Sequence, residues 1–293
     1  MKRSCGKSIA LTAFLLSGAL FCLPGASWAW GAEGHSIIAE IAQHRLGSEA
    51  THGVAELLGP NVSLASIASW ADDERSVRPE TTNWHFVDIP LAADAYDEAR
   101  DCRANAERGD CIVKELERLK SQVRCAPSAA ERRDALKFAV HFVGDIHQPL
   151  HTVGDAKGGN QFQVHGAIHG STCRNHCEMS PDFTNLHALW DTGLIRRTVW
   201  DWGAYVQKLE EGRLKADDMQ ANAAAGTPRD WAQQAHELAQ QVWNDRMIGP
   251  DGAIDDRYYE RVRPLLDGQL ARAGLRLARY LNEAFASTAC SAR

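Results

Sequence analysis

The chain has 293 residues, of which 44% are hydrophobic and 24% charged, a balance that excludes a disordered or fibrous protein and allows a sizeable buried core. Lys and Arg number 32 against 38 Asp and Glu, a formal net charge of −6. A net-acidic chain is poorly suited to gripping nucleic acid by bulk electrostatics, so any phosphate binding has to be local, and a metal ion is one way to make it so.

Residues 1–29 read as an export signal. Lys2, Arg3 and Lys7 form a positive start, an apolar run follows from Ile9 to Leu23, and the small residues Ser27 and Ala29 stand one residue apart, as a signal-peptidase site requires. Cleavage there makes Trp30 the new N-terminus and leaves residues 30–293 as one mature domain. The apolar run is short for a membrane span, and no later stretch approaches one. The mature chain is therefore expected in the periplasm or outside the cell, without stable membrane association and as a monomer. Removing the leader leaves 29 Lys and Arg against 38 Asp and Glu, a net of −9. Six cysteines remain, Cys102, Cys111, Cys125, Cys173, Cys177 and Cys290, an even count that reads as three disulfides in an oxidising compartment. Cys102 with Cys111 and Cys173 with Cys177 are the local pairings to expect, although spacing alone does not fix them.

The class is all-α. Helical patterning runs over about Gly34 to Leu46, Cys111 to Val123, Ser128 to Ile146, Asn185 to Val199, Trp231 to Val242, and Asp255 to Phe285 with a break near Pro264. Ser128 followed by Glu131 has the spacing of a capping box. Asn160 to Ala167 is the best strand candidate, read as a short hairpin. Trp200, Trp202 and Trp231 read as packing residues. No linker, repeat or low-complexity tract divides the mature chain.

The chemistry lies in a recurring His/Asp pattern. His141 and Asp145 are four apart on one predicted helix face, and His187 and Asp191 repeat that spacing on a second. His151 follows Pro149 in the turn after the first helix, while Asp72 and His85 come earlier, in Trp70-Ala71-Asp72 and Trp84-His85-Phe86. Imidazoles and carboxylates are the ligands of catalytic zinc. One His/Asp pair is weak evidence, since a helical His is commonly a hydrogen-bonded core or surface residue. Two pairs with satellites exceed what one ion can use, which points to a multinuclear site.

Taken together, Trp30-Gly31-x-x-Gly34-His35, Ser69-Trp70-Ala71-Asp72, Trp84-His85-Phe86, His141-Phe142-x-Gly144-Asp145-x-His147-Gln148-Pro149-Leu150-His151, Gly158-Gly159-Asn160 and Asn185-Leu186-His187-x-x-Trp190-Asp191 resemble the motifs of the S1/P1 nuclease family, in that family's order. The resemblance implies an all-α fold related to bacterial zinc-dependent phospholipase C, with three zinc ions in a cleft. It implies that Asp72, His85, His141 and Asp145 hold one zinc and that His151, His187 and Asp191 hold a second. The third falls to His35, to Asp145 as a bridge, and to Trp30 through its free amine and own carbonyl. On that reading signal cleavage is an activating step, because an amide nitrogen cannot coordinate as an amine does.

The implied activity is endonucleolytic hydrolysis of single-stranded DNA and RNA to 5′-phosphorylated products, with cleavage of 3′-nucleotides as well. Zincs sharing a water lower its pKa towards neutrality, and a further zinc takes the charge on the O3′ leaving group. The resemblance also nominates Asp145, Asp88 and Arg75 for catalysis. Phe86, Asp88, Asn160 and Lys157 are nominated for substrate contact, each against a plainer role: core packing for Phe86, support of a ligand or an ion pair for Asp88 and Arg75, a turn for Asn160, a solvated cation for Lys157. His147 falls off the ligand face and is expected to support a ligand. The runner-up function is a zinc-dependent phospholipase C. That family closes its last motif with Glu, whereas Asp191 stands here.

Overall fold

The computed structural model describes residues 30–177, 184–220, 222–243, 248–249, 251–286 and 290; the expected leader lies outside them. Two long helices open the fold, α1 (Ala32–Gln43) and α2 (Ser48–Leu58), followed by the short α3 (Trp70–Glu74) and α4 (Glu98–Asp101). The next pair is α5 (Ile112–Cys125) and α6 (Ala129–Asp145). One irregular segment then runs α7 (Leu186–Ala188), a π-turn (Leu189–Gly193) and α8 (Leu194–Thr198). Finally come α9 (Trp202–Glu211), α10 (Asp217–Gln220), α11 (Pro228–Val242) and α12 (Asp256–Ala286). The all-α reading holds. Strand among the described residues is limited to β1 (His165–Gly166) and β2 (Ala253–Ile254).

Local chemistry sets where the helices begin. Ser128 accepts from the Glu131 amide at 3.2 Å while the Glu131 carboxylate accepts from the Ser128 amide at 2.9 Å, the capping box the spacing predicted. The start of α11, three residues ahead of the expected Trp231, rests on a second box that the sequence reading passed over. There Thr227 and Asp230 cap each other and Pro228 occupies the first turn, where its missing N–H has no helical partner to lose. The helices α2 and α9 were not anticipated either; Asp201 caps the latter through the Ala204 amide.

Three expectations are corrected. The α12 helix runs unbroken through Pro264. Pro264 and Glu260 both face solvent, so the carbonyl freed by the missing N–H can be met by water, while Val262 and Leu266 on the other face hold the helix to the core. No hairpin forms over residues 160–167; instead His165 and Gly166 pair in parallel with Ala253 and Ile254, joining this loop to the approach of α12. Trp200 is not a packing residue, being 78% exposed, although Trp231 is buried.

The core is continuous. α1 packs mainly on α12 and α5 on α6, with α12 also crossing α2, α5 and α6. Three disulfides close it: Cys102–Cys111 and Cys173–Cys177, as expected, and Cys125–Cys290, which ties the end of α5 to the C-terminal segment. No described helix is long and apolar enough to cross a membrane. The consequence for function is that α6, buried along its C-terminal half, presents His141 and Asp145 to α1, α3 and the Pro79–His85 turn at the centre of the molecule.

Candidate metal centre and substrate cleft

His141 and Asp145 stand one turn apart on α6, both fully buried. The tight Pro79–His85 turn brings His85 to them, with its Nδ1 3.0 Å from Asp145 Oδ2 and 3.1 Å from His141 Nε2. Asp72, on α3, places Oδ1 3.6 Å from His141 Nε2 and 3.7 Å from His85 Nδ1. From the other side α1 delivers His35, whose Nε2 lies 3.3 Å from Asp145 Oδ1 and whose ring stacks on His141 at 3.9 Å. Asp145 thus faces His35 through Oδ1 and His85 and His141 through Oδ2, while His141 is common to the groups on the α1 and α3 sides.

A second group forms where the chain leaves α6. His151 sits in the turn Pro149–Thr152, His187 in α7 and Asp191 in the π-turn after it. His151 Nε2 and His187 Nε2 are 3.2 Å apart, and His187 Nε2 is 3.4 Å from Asp191 Oδ2. The π-turn widens the helix where Asp191 must face His187, a common use of such bulges. Gly158 has φ +61°, and a Cβ there would stand 2.5 Å from Leu150 O and 3.2 Å from His187 Nδ1. That crowding is the physical reason for glycine in Gly158-Gly159-Asn160.

Three compact sets emerge: His35, His141 and Asp145; Asp72, His85 and His141; His151, His187 and Asp191. Within each set one ligand atom per residue lies within 4.8 Å of the others, and every member is buried. The donor chemistry fits cations. Nδ1 of His141, His151 and His187 each faces a backbone carbonyl, of Ala68 (2.7 Å), His85 (2.8 Å) and Gly158 (2.6 Å) respectively. A carbonyl can only accept, so it fixes a proton on Nδ1 of each; on His151 and His187 that leaves Nε2 a bare lone pair. Two such lone pairs 3.2 Å apart, on His151 and His187, repel unless a cation or a proton lies between them. Buried atoms of the cluster also lack hydrogen-bond partners, namely both nitrogens of His35, Nε2 of His85, and Oδ1 of Asp72 and of Asp145. Leaving such groups unmet costs about 1–3 kcal/mol each.

The electrostatics agree. Burial pushes His35 down to about 4 and His85 and His187 to about 3, so these rings prefer to be neutral, the state in which they can ligate. Burial also raises Asp72 to about 6 and Asp191 well above the carboxylate range. Burial lowers His151 as well, whereas for His141 and Asp145 charge overrides burial. Asp145 and Asp72 hold His141 up to about 9, and the His141 cation in turn keeps Asp145 well below its ordinary value. The two carboxylates thus favour a proton on His141, where the first two ligand sets meet.

Residues 30–286 match the family model described as S1/P1 Nuclease. The chain belongs to the S1/P1 nuclease family. It is accordingly a nuclease, a hydrolytic enzyme. Among relatives, nuclease P1 of Penicillium citrinum is 30% identical over 285 residues, covering 87% of this chain and 97% of its own. Endonuclease 2 of Arabidopsis thaliana is 28% identical, covering 87% and 90%, and nuclease S1 of Aspergillus oryzae is 28% identical, covering 91% and 96%.

Trp30, the first described residue, is buried and bonded to the segments that carry two candidate ligands. Its indole donates to Gly144 O at 2.9 Å, and the next amide, of Gly31, donates to Asp191 O at 2.9 Å. Its backbone is therefore held between the residue before one candidate ligand and the carbonyl of another. The remaining candidates open onto a cleft of about 450 Å³ lined by Arg75, His85, Phe86, Asp88, His151, Lys157, Asn160 and His187, among others. Phe86 is half-buried in its wall. Asp88 stands at its mouth, open to solvent, yet the neighbouring walls desolvate it and raise its pKa against the pull of Arg108. Arg75 Nη1 lies 3.8 Å from Asp72 Oδ1. Lys157 is exposed and adopts the left-handed φ of +54°, while the Asn160 amide turns back to Lys157 O at 2.9 Å.

Two residues were misjudged or missed in the sequence. His147 touches no candidate ligand; Nδ1 faces Val143 O and Nε2 accepts from Arg276, tying α6 to α12. The support expected of it comes from its neighbour Gln148, whose buried amide donates to Asp191 Oδ1 at 2.6 Å. The one available hint was a glutamine standing directly before Pro149 between two candidate ligand motifs.

Proposed function

We propose that this nuclease works as a three-zinc phosphodiesterase on single-stranded DNA and RNA, leaving 5′-phosphates and also cleaving 3′-nucleotides, after export and removal of residues 1–29. What carries the reading is the facing pair of bare Nε2 atoms on His151 and His187, beside two further ligand sets that share His141 and include the buried carboxylates of Asp72 and Asp145. The zincs would be held by Asp72, His85, His141 and Asp145; by His151, His187 and Asp191; and by His35, Asp145 and the amine and carbonyl of Trp30. When bound, they supply Lewis acidity towards phosphate and bring the pKa of water towards neutrality. The backbone carbonyls of Ala68, His85 and Gly158 keep three imidazoles aimed. Phe86 offers a face on which an unpaired base can stack, worth about 1–3 kcal/mol. Asp88, at the mouth, accepts from a base edge or orients water, and Arg75 positions the phosphate or Asp72. Asn160 and Lys157, which line the same cleft, contact substrate as well. The Trp30 amine, with an ordinary pKa of about 7.7–8.0, must shed its proton to ligate.

A two-substrate assay on signal-cleaved, zinc-loaded protein tests this. Unpaired DNA or RNA should yield 5′-phosphorylated products, and Asp145→Asn should abolish them along with part of the bound zinc. Release of phosphocholine from phosphatidylcholine with nucleic acid left intact would refute the proposal in favour of a phospholipase C.

A further inference from the structure

The disulfide-closed loop between Cys102 and Cys111 takes no part in the ligand sets, yet it forms a wall of the cleft through Asn105 and Arg108. Its placement is fixed by backbone bonding to the segment that carries His85 and Phe86. The Asn83 amide donates to Arg108 O at 2.8 Å, and the Ile112 amide donates to Phe86 O at 3.1 Å. Within the loop, Asn105 and Gly109 pair through both backbone groups, and Asn105 Oδ1 accepts from the amides of Glu107 and Arg108. Gly109, at φ +83°, lets the loop lie flush on Trp84; a Cβ there would overlap the indole Nε1 and Glu80 O. An exposed loop is thus held to the residue preceding a candidate ligand as firmly as a regular element would be.

Arg108 itself is exposed and has no ion-pair partner among the described residues, although its field reaches Asp88. Past Phe86 and Asp88 a side cavity of about 180 Å³ continues the cleft along this loop, with Arg103 on its wall. Of the three acids there, Asp101 is already neutralised by Arg100, through contacts of 2.5 and 2.8 Å, while Asp88 and Asp110 remain, set against Arg103 on the wall and Arg108 nearby. An unpaired guanidinium on a pinned backbone, beside a base-sized aromatic face and at the entry to a second cavity, suits an anion that follows the first nucleotide.

We propose that Arg108, held by the 102–111 disulfide loop, binds the phosphate next to the scissile one on an unpaired strand, so that polynucleotides are favoured over the shortest substrate. This rests on the nuclease reading above and adds a substrate-length preference to it. The test compares a long unpaired thymidine strand with a dinucleoside monophosphate, which has a scissile phosphate and no neighbour, using zinc-loaded wild type, Arg108→Ala and Arg108→Lys. For Arg108→Ala, kcat/KM on the long strand should fall about tenfold at low salt, through KM, as expected for losing one charge-assisted contact. The slope of log kcat/KM against log salt should also flatten by about 0.7. The dinucleotide should change by less than about twofold, and Arg108→Lys should recover most of the strand activity and the salt slope. Equal losses on both substrates would overturn the proposal and place Arg108 behind Asp88; no loss on either would overturn it outright. Wild type that cuts neither substrate would bring down the nuclease reading itself.

Discussion

Replacing Gln148 by alanine isolates the support of one candidate ligand from the ligand itself. Gln148 is buried and makes two bonds of 2.6 Å, donating to Asp191 Oδ1 and accepting from the Leu150 amide. Alanine leaves a buried carboxylate oxygen and a buried N–H unmet. It also frees Asp191 to rotate, since only Oδ2 faces His187. Loss of such an outer partner weakens metal binding by about 10–100-fold, or roughly 1.4–2.7 kcal/mol. The deficit should grow in acid. Burial already raises Asp191 and the Gln148 amide counteracts it, so the variant carboxylate protonates at higher pH than the wild type, and a protonated carboxylate does not ligate. Chelator competition, read as zinc retained per chain across a pH series, measures this directly. Two zincs retained normally and one lost early is the expected pattern. An unchanged zinc profile combined with a lowered melting temperature would show that Gln148 only packs, and would refute the reasoning.

Zinc added to metal-free protein at about pH 8 should release protons, because His141 is protonated below about 9 in the empty cluster and must give up that proton to ligate. An indicator dye in weak buffer reads the release, and its absence would contradict the proton stored between His141 and Asp145. Gly158→Ala should destabilise by more than about 1 kcal/mol, since the residue sits at positive φ against Leu150 O; a melting curve equal to wild type would count against the crowding at His187. Replacing Cys125 and Cys290 together by serine removes a link across 165 residues. Its loss should cost about 2–5 kcal/mol in denaturant unfolding while leaving zinc content unchanged.

The ligand candidates were legible because their chemistry is written in side-chain type and spacing. His141 and Asp145, four apart on one helix, could be read without coordinates, and the same holds for His187 and Asp191. The π-turn was not legible, because a widened turn leaves the same residues at the same spacing and differs only in backbone path. Nor was Gln148, whose role depends on where the chain goes after Pro149. The parallel pairing of residues 165–166 with 253–254 joins segments far apart in sequence, so a local strand signal naturally suggested a hairpin. Pro264 was read by its usual effect on a helix interior, and the side of α12 that faces water was not known until α12 was packed. Arg108 resembled any solvated arginine until a disulfide and two backbone hydrogen bonds placed it on the cleft wall.

The carbonyl anchors of His141, His151 and His187 bear on how far such an enzyme can drift. A ring oriented by a side chain is lost with one substitution of that side chain. A ring oriented by the main chain survives any substitution that keeps the backbone path: position 68 can change within steric limits, while position 158 is held to glycine by its own backbone and not by the ring it orients. Orientation of the imidazoles is thereby decoupled from the identity of the residues that orient them. Chains sharing only 30% of their residues, as this one does with nuclease P1 of Penicillium citrinum, can then keep the same three rings aimed while most of the surrounding sequence is exchanged.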